Sequence, residues 1–160
     1  MKQTFNFLLM LVMVASVLSC KKSEPTPAPT PAQKIVGKYT FTTNTSTKNG
    51  VVKDNLAGRP ACATDDISEF TTDGKLIDSE GATSCTPPRS FGVSRTYVLS
   101  PDGKALTITS TDSSNGTVRS EIYTVEELTS SMLKLSITIT ENDQNGGTIT
   151  VKVNFTLTKI

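Results

Sequence analysis

Two long stretches near the end of the chain alternate apolar and polar residues with a period of two. In Met132–Thr140, Leu133, Leu135, Ile137 and Ile139 alternate with Lys134, Ser136 and Thr138. In Thr148–Thr158, Ile149, Val151, Val153, Phe155 and Leu157 alternate with Thr150, Lys152, Asn154 and Thr156. Successive side chains of a strand point to opposite faces, so the pattern predicts two antiparallel strands with one dry face and one wet face. Asn142–Gly147 between them reads as a hairpin loop. Upstream, Asn49-Gly50, Asp73-Gly74, Asp102-Gly103 and Asn115-Gly116 punctuate shorter strand-like runs. These are Lys38–Thr45, Val51–Lys53, Ile67–Thr71, Lys75–Asp78, Arg95–Leu99, Ala105–Thr111 and Thr117–Val125. Eight or nine short strands at regular spacing suit a barrel or a sandwich. Hairpin after hairpin favours an all-β, antiparallel, up-and-down barrel of about eight strands, because closure removes exposed edges. No amphipathic helix is apparent. Val125–Ser131 is read as a helical turn between two strands.

The N-terminus follows a different rule. Met1-Lys2 precedes an almost wholly apolar run from Phe5 to Ser19, ending Val17-Leu18-Ser19-Cys20. A positive start, a short apolar run and a small residue before the cut predict a secretory signal over residues 1–19. The run is shorter than the ~20 residues a spanning helix needs. A cysteine directly after such a cut resembles a bacterial lipobox. The resemblance implies that Cys20 carries diacylglycerol and that its new amine takes a fatty acyl chain such as palmitate. Residues 20–33 then form a lipidated cysteine and a linker. In that linker Pro25, Pro27, Pro29 and Pro31 alternate with small residues, the composition of a semi-rigid extended spacer. Residues 34–160 are left for the barrel. The expected location is outside the cytoplasm, with the lipid bilayer as partner through acylated Cys20. The outer membrane of a bacterium is the expected anchor, on its periplasmic face or at the cell surface.

Charge and cysteines narrow the chemistry. The chain has 16 basic and 15 acidic residues. Removing residues 1–19 removes Lys2 and no acid, which leaves 15 of each and no pull toward nucleic acid. Three cysteines in an exported protein leave one odd. With Cys20 lipidated, Cys62 and Cys85 remain as a disulfide pair in an oxidising compartment. The chain has no histidine, which excludes Cys-His metal sets, Cys-His dyads and Ser-His-Asp triads. No catalytic constellation is found, so a non-enzymatic role with no cofactor is expected.

One stretch carries a resemblance to a known family. Cys62, the pair Asp65-Asp66, Phe70, Asp73-Gly74, Gly81 and Cys85 are followed by Arg95–Leu99, the turn Pro101–Lys104 and Tyr123–Thr129. In this order the residues resemble lipocalin-like lipoproteins of Gram-negative bacteria. The resemblance covers most of the chain after Gln33. It implies a lipocalin-like antiparallel β-barrel, and it says little about activity. Lipocalins carry Gly-x-Trp near the first strand; here Gly37-Lys38-Tyr39 stands in that place, and the chain has no tryptophan.

Four groups of residues are candidates for function. Tyr39, Phe41, Phe70, Leu106, Ile108, Leu133, Leu135, Ile137, Val151, Val153 and Phe155 are expected to point inward. Of these, Tyr39, Phe41, Phe70, Leu106, Ile108, Leu135, Ile137, Val153 and Phe155 are the candidate contacts for a small hydrophobic ligand, since a barrel of eight strands is just wide enough for one. The other reading is a core filled by its own side chains, in a protein that binds another envelope protein through its loops. The acidic run Asp65, Asp66, Glu69, Asp73, Asp78 and Glu80 is a cue for calcium without the spacing of a known loop. Asp73 reads as a turn former, Glu69 and Asp78 as solvent-facing, and Asp65 and Asp66 as partners of nearby backbone amides, so no metal is expected. The loop Thr86–Gly92 carries Arg89 and Phe91, residue types that anchor interfaces.

Overall fold

The computed structural model describes residues 27–88, 91–142 and 146–160. Within them the alternating runs form nine strands: β1 (Gly37–Lys48), β2 (Val51–Asp54), β3 (Ile67–Phe70), β4 (Lys75–Ser79), β5 (Val93–Leu99), β6 (Ala105–Asp112), β7 (Val118–Leu128), β8 (Met132–Asn142) and β9 (Thr148–Lys159). All pairings are antiparallel, from β3 through β9 in sequence order, and β1 pairs with both β3 and β9. Eight strands therefore close into an up-and-down barrel, as the alternation predicts. β2 is the extra strand. It folds back on the outer half of β1, placing Lys48 opposite Val51. Asn49 and Gly50 turn the chain there with φ of 51° and 78°, the pair of positive φ that a tight hairpin needs.

The two ends of the barrel differ. At one end lie Gly37, the β3–β4 turn, the β5–β6 turn and the β7–β8 turn. A short helix, α1 (Pro31–Ile35), packs under this end. Thr30 and Gln33 cap each other reciprocally, Thr30 N–H donating to the Gln33 side chain at 2.8 Å. Pro31 presses against the β5–β6 turn, where a Cβ on Gly103 would lie 2.9 Å from the Pro31 ring. The spacer expected over residues 20–33 thus ends early: Pro31–Gln33 belong to the helix, because the cap and the apolar Ile35 give that segment a place to dock. Ile35, Tyr39, Leu106 and Leu133 are at most 1% exposed and seal this end. Phe70, Leu76, Leu135 and Leu157 stack above them.

Two further expectations are corrected. The helical turn read over Val125–Ser131 is absent: β7 runs on to Leu128 through a bulge between Val125 and Glu127. Thr129 then turns the chain, its N–H donating to the Met132 carbonyl at 2.9 Å. Asp78 does not face solvent. Leu76 points into the core, and period two carries Asp78 inward with it, while Ile77 between them is 48% exposed.

The turns at the closed end hold charged side chains in place. Lys75 at 2.8 Å and the Thr71 hydroxyl hold the Asp73 carboxyl down to about 2. The Ser100 hydroxyl, then the Lys104 amide, lower Asp102 as well. A depressed carboxylate pKa adds stability above its unfolded value, and that stability is lost as pH falls toward the folded value. Melting temperature is therefore expected to fall between about pH 4 and pH 2. Asp73→Asn with Asp102→Asn should flatten this acid limb in a thermal melt series; an unchanged slope would show that other carboxylates set it.

Candidate ligand site in the barrel interior

Above the sealed end the barrel is not filled. A pocket of about 90 Å³ is lined by Phe41, Phe70, Leu76, Ile108, Tyr123, Leu135, Phe155 and Leu157, with Ser68 and Arg95 on one wall. Its aromatic rings hold each other edge-on. Phe41 and Tyr123 meet Phe155 at centroid distances of 6.1 and 5.9 Å, and Phe70 meets Tyr97 at 5.0 Å. Such edge contacts fix ring orientation beyond simple burial.

The polar wall comes from adjacent strands. Ser68 on β3 lies opposite Asp78 on β4, and its hydroxyl donates to the Asp78 carboxylate at 2.7 Å. Arg95 on β5 reaches the same carboxylate with Nη1 at 2.6 Å. The ladder between β4 and β5 joins Lys75 to Thr96 and Leu76 to Arg95 and then ends. The Asp78–Arg95 ion pair bridges the strands where that ladder stops. Arg95 Nε is buried with no hydrogen-bond partner. On β7, Tyr123 donates its hydroxyl to the Glu121 carboxylate. Burial first, and that carboxylate second, push the Tyr123 phenol well above its ordinary range, so it is neutral and a donor at physiological pH.

Toward the other end of the barrel the pocket meets a vestibule of about 250 Å³, which shares Phe41, Ser68 and Arg95 with it. The vestibule's far side is built by the connection between β2 and β3: Leu56, Arg59, Ala63 and Thr64. Phe91 completes it. A disulfide between Cys62 and Cys85 ties that connection to the one between β4 and β5, as the cysteine count predicts. A third recess of about 390 Å³ is polar, running from Val93 and Arg95 past Ser110 and Asp112 to Arg119 and Glu121.

Of the nine expected ligand contacts, Phe41, Phe70, Ile108, Leu135 and Phe155 line the pocket. Tyr39 and Leu106 lie below it, fully buried in the seal. Ile137 and Val153 face each other in register on β8 and β9, outside the pocket lining. Arg95, Ser68, Leu76, Tyr123 and Leu157 were not expected there. The signal for Arg95 was present: it shares parity with Tyr97 and Leu99, which predicts an inward side chain. A charged residue reads as surface until its counter-ion is known, and Asp78 lies far off in sequence.

The acidic run is dispersed by the strands. Glu69 pairs with Lys38 outside at 3.7 Å, Asp73 with Lys75 in a turn, and Asp78 with Arg95 inside. Asp65 accepts from the Thr83 amide at 2.8 Å. Among the described residues no group of three side chains is arranged to hold a metal. Phe91 turns into the vestibule, whereas Arg89, the expected signal over residues 1–19 and Cys20 lie outside the described residues. The chain matches no protein-family model, no curated protein and no solved structure.

Proposed function

We propose that this protein is a membrane-anchored lipoprotein whose lipocalin-like barrel carries a small, largely apolar molecule. The observation that carries this reading is the aromatic pocket in the middle of the barrel, opening past Arg95 into the vestibule. A sealed end below and an access route above make a receptacle, and most small-molecule sites are apolar with a few placed polar groups. The anchor fits the same picture. The chain enters the barrel through α1 at the sealed end. Acylation at Cys20 would hold that end toward the bilayer, with a linker reaching roughly 30 Å when extended. The vestibule and its disulfide would then face away from the lipid, toward the periplasm or the cell exterior. A packed barrel that binds another envelope protein is the second reading, favoured by the small volume of the interior pocket, about 90 Å³.

Native mass spectrometry of the full chain carrying Cys20→Ser, exported in its own host, separates the two. A stoichiometric small-molecule adduct is expected. A bare mass would transfer the function to the loops. In the same host the unsubstituted protein is expected in the membrane fraction and the Cys20→Ser protein outside it; retention of both would sink the lipid anchor.

A further inference from the structure

We infer that the barrel takes an uncharged amphiphile, with a short apolar end in the aromatic pocket and a neutral hydrogen-bonding head on Arg95. The inference rests on the interior being a ligand site, and it names the chemistry of the occupant.

Arg95 is the one described residue that borders the pocket, the vestibule and the polar recess. A head group entering by any route meets it. Its charge is already matched by Asp78 at 2.6 Å. The vestibule sets Arg59 and Arg95 against Asp66 and Asp78. The recess sets Arg95 and Arg119 against Asp112 and Glu121. With Arg95 counted once, vestibule and recess together set three arginines against four carboxylates, so no unmatched positive charge awaits a ligand anion. A ligand carboxylate at Arg95 would add a second negative charge beside Asp78, and an ammonium would add a second positive one; like charges at such range disfavour the charged form. A carbonyl, amide or hydroxyl needs no counter-ion. The guanidinium carries five N–H donors in a fixed fork; Asp78 takes one at Nη1, and the side chain as a whole remains 38% exposed. A neutral oxygen accepts from the rest of the fork without upsetting the pair.

The tail is limited by size. The pocket of about 90 Å³ is smaller than the roughly 150 Å³ cavity that accepts benzene. It has room for a short chain end and none for a long acyl chain. The rest of the molecule lies in the vestibule.

Three probes that share a five-carbon skeleton test this: pentanamide, pentanoate and pentylamine, titrated into the ¹⁵N-labelled full chain carrying Cys20→Ser. Two signals are read, the Arg95 Nε–Hε resonance and the methyl groups of Ile108 and Leu135. Pentanamide is expected to move both and to bind at least tenfold more tightly than either charged probe. Tighter binding of pentanoate would overturn the neutral head. Methyl shifts with a silent Arg95 would overturn the docking on Arg95 and leave the interior as a ligand site. No binding by any probe would overturn the inference, while the native mass decides the ligand reading independently. The paired variant Arg95→Gln with Asp78→Asn removes both charges together, so neither is left buried without its partner. It should lose at least tenfold in pentanamide affinity, and an unchanged affinity would overturn the role of Arg95.

Discussion

Replacing Tyr39 with alanine is expected to destabilise the barrel by about 4 kcal/mol, the scale for emptying an aromatic site in a closed core. Tyr39 is fully buried at the sealed end. Its ring meets Phe70 edge-on at 5.6 Å, and the Lys159 ammonium lies 5.6 Å from its centroid. Its hydroxyl donates to the Lys34 carbonyl at 3.2 Å, which fixes α1 under the barrel. Truncation removes ring, seal and helix contact together. A thermal melt should show the midpoint falling by more than about 10 °C. Val98→Ala is the contrast: Val98 is 67% exposed, and an exposed site shifts stability by less than about 0.5 kcal/mol. Similar losses from both variants would mean that the sealed end is not where the stability resides.

Tyr39→Phe separates the ring from the hydroxyl. It keeps the packing and gives up one hydrogen bond, about 1 kcal/mol. It also changes the alkaline limb. Burial, and then the Tyr97 phenol, push the Tyr39 phenol up to about 12. A group that the fold keeps neutral adds stability below its unfolded pKa and loses it as pH rises to the folded value. The wild-type protein is therefore expected to weaken between pH 10 and pH 12, and Tyr39→Phe to weaken less over that range.

The barrel was legible because most strands obey one rule. β8 and β9 alternate without interruption, and the register found between them keeps Leu133 opposite Leu157 and Leu135 opposite Phe155. The turns were legible because Asn-Gly and Asp-Gly pairs state their own geometry. What escaped the sequence were features set by partners. A bulge between Phe41 and Thr43 shifts the parity of β1, so no fixed alternation could assign Asn44. Helix α1 is only five residues long and exists because the sealed end receives Ile35. Asp78 was read as solvent-facing because a carboxylate is costly to bury alone; paired with Arg95 it becomes a permissible wall. Half of the candidate site was therefore visible as apolar parity. The polar half required knowing that β4 and β5 are neighbours.

Removing the disulfide with Cys62→Ser and Cys85→Ser is expected to cost about 3 kcal/mol, the loop-closure entropy returned to the unfolded chain. The two cysteines are 23 residues apart in sequence. They join connections that are otherwise lightly held. The 3-10 turn Ala61–Ala63 contributes no buried residue, and the β4–β5 ladder has ended before the chain reaches Cys85. The Thr83 amide on Asp65 also ties the two connections, while the Cys85 amide on Glu80 at 3.3 Å acts within the second. Urea unfolding should place the midpoint of the double variant lower by one to two molar, given a slope of about 2 kcal/mol/M for a domain of this size. Amide exchange should quicken first around residues 56–66 and 80–88, since local openings start where few contacts resist them. The closed end, with Tyr39 and Leu106, should stay protected until global unfolding. An unchanged midpoint would assign that tie to the Asp65–Thr83 hydrogen bond. Because Leu56, Arg59, Ala63 and Thr64 form the far wall of the vestibule, the same variant should also weaken any ligand that spans it. A loss of stability with no loss of binding would place the whole ligand below Arg95, in the aromatic pocket alone.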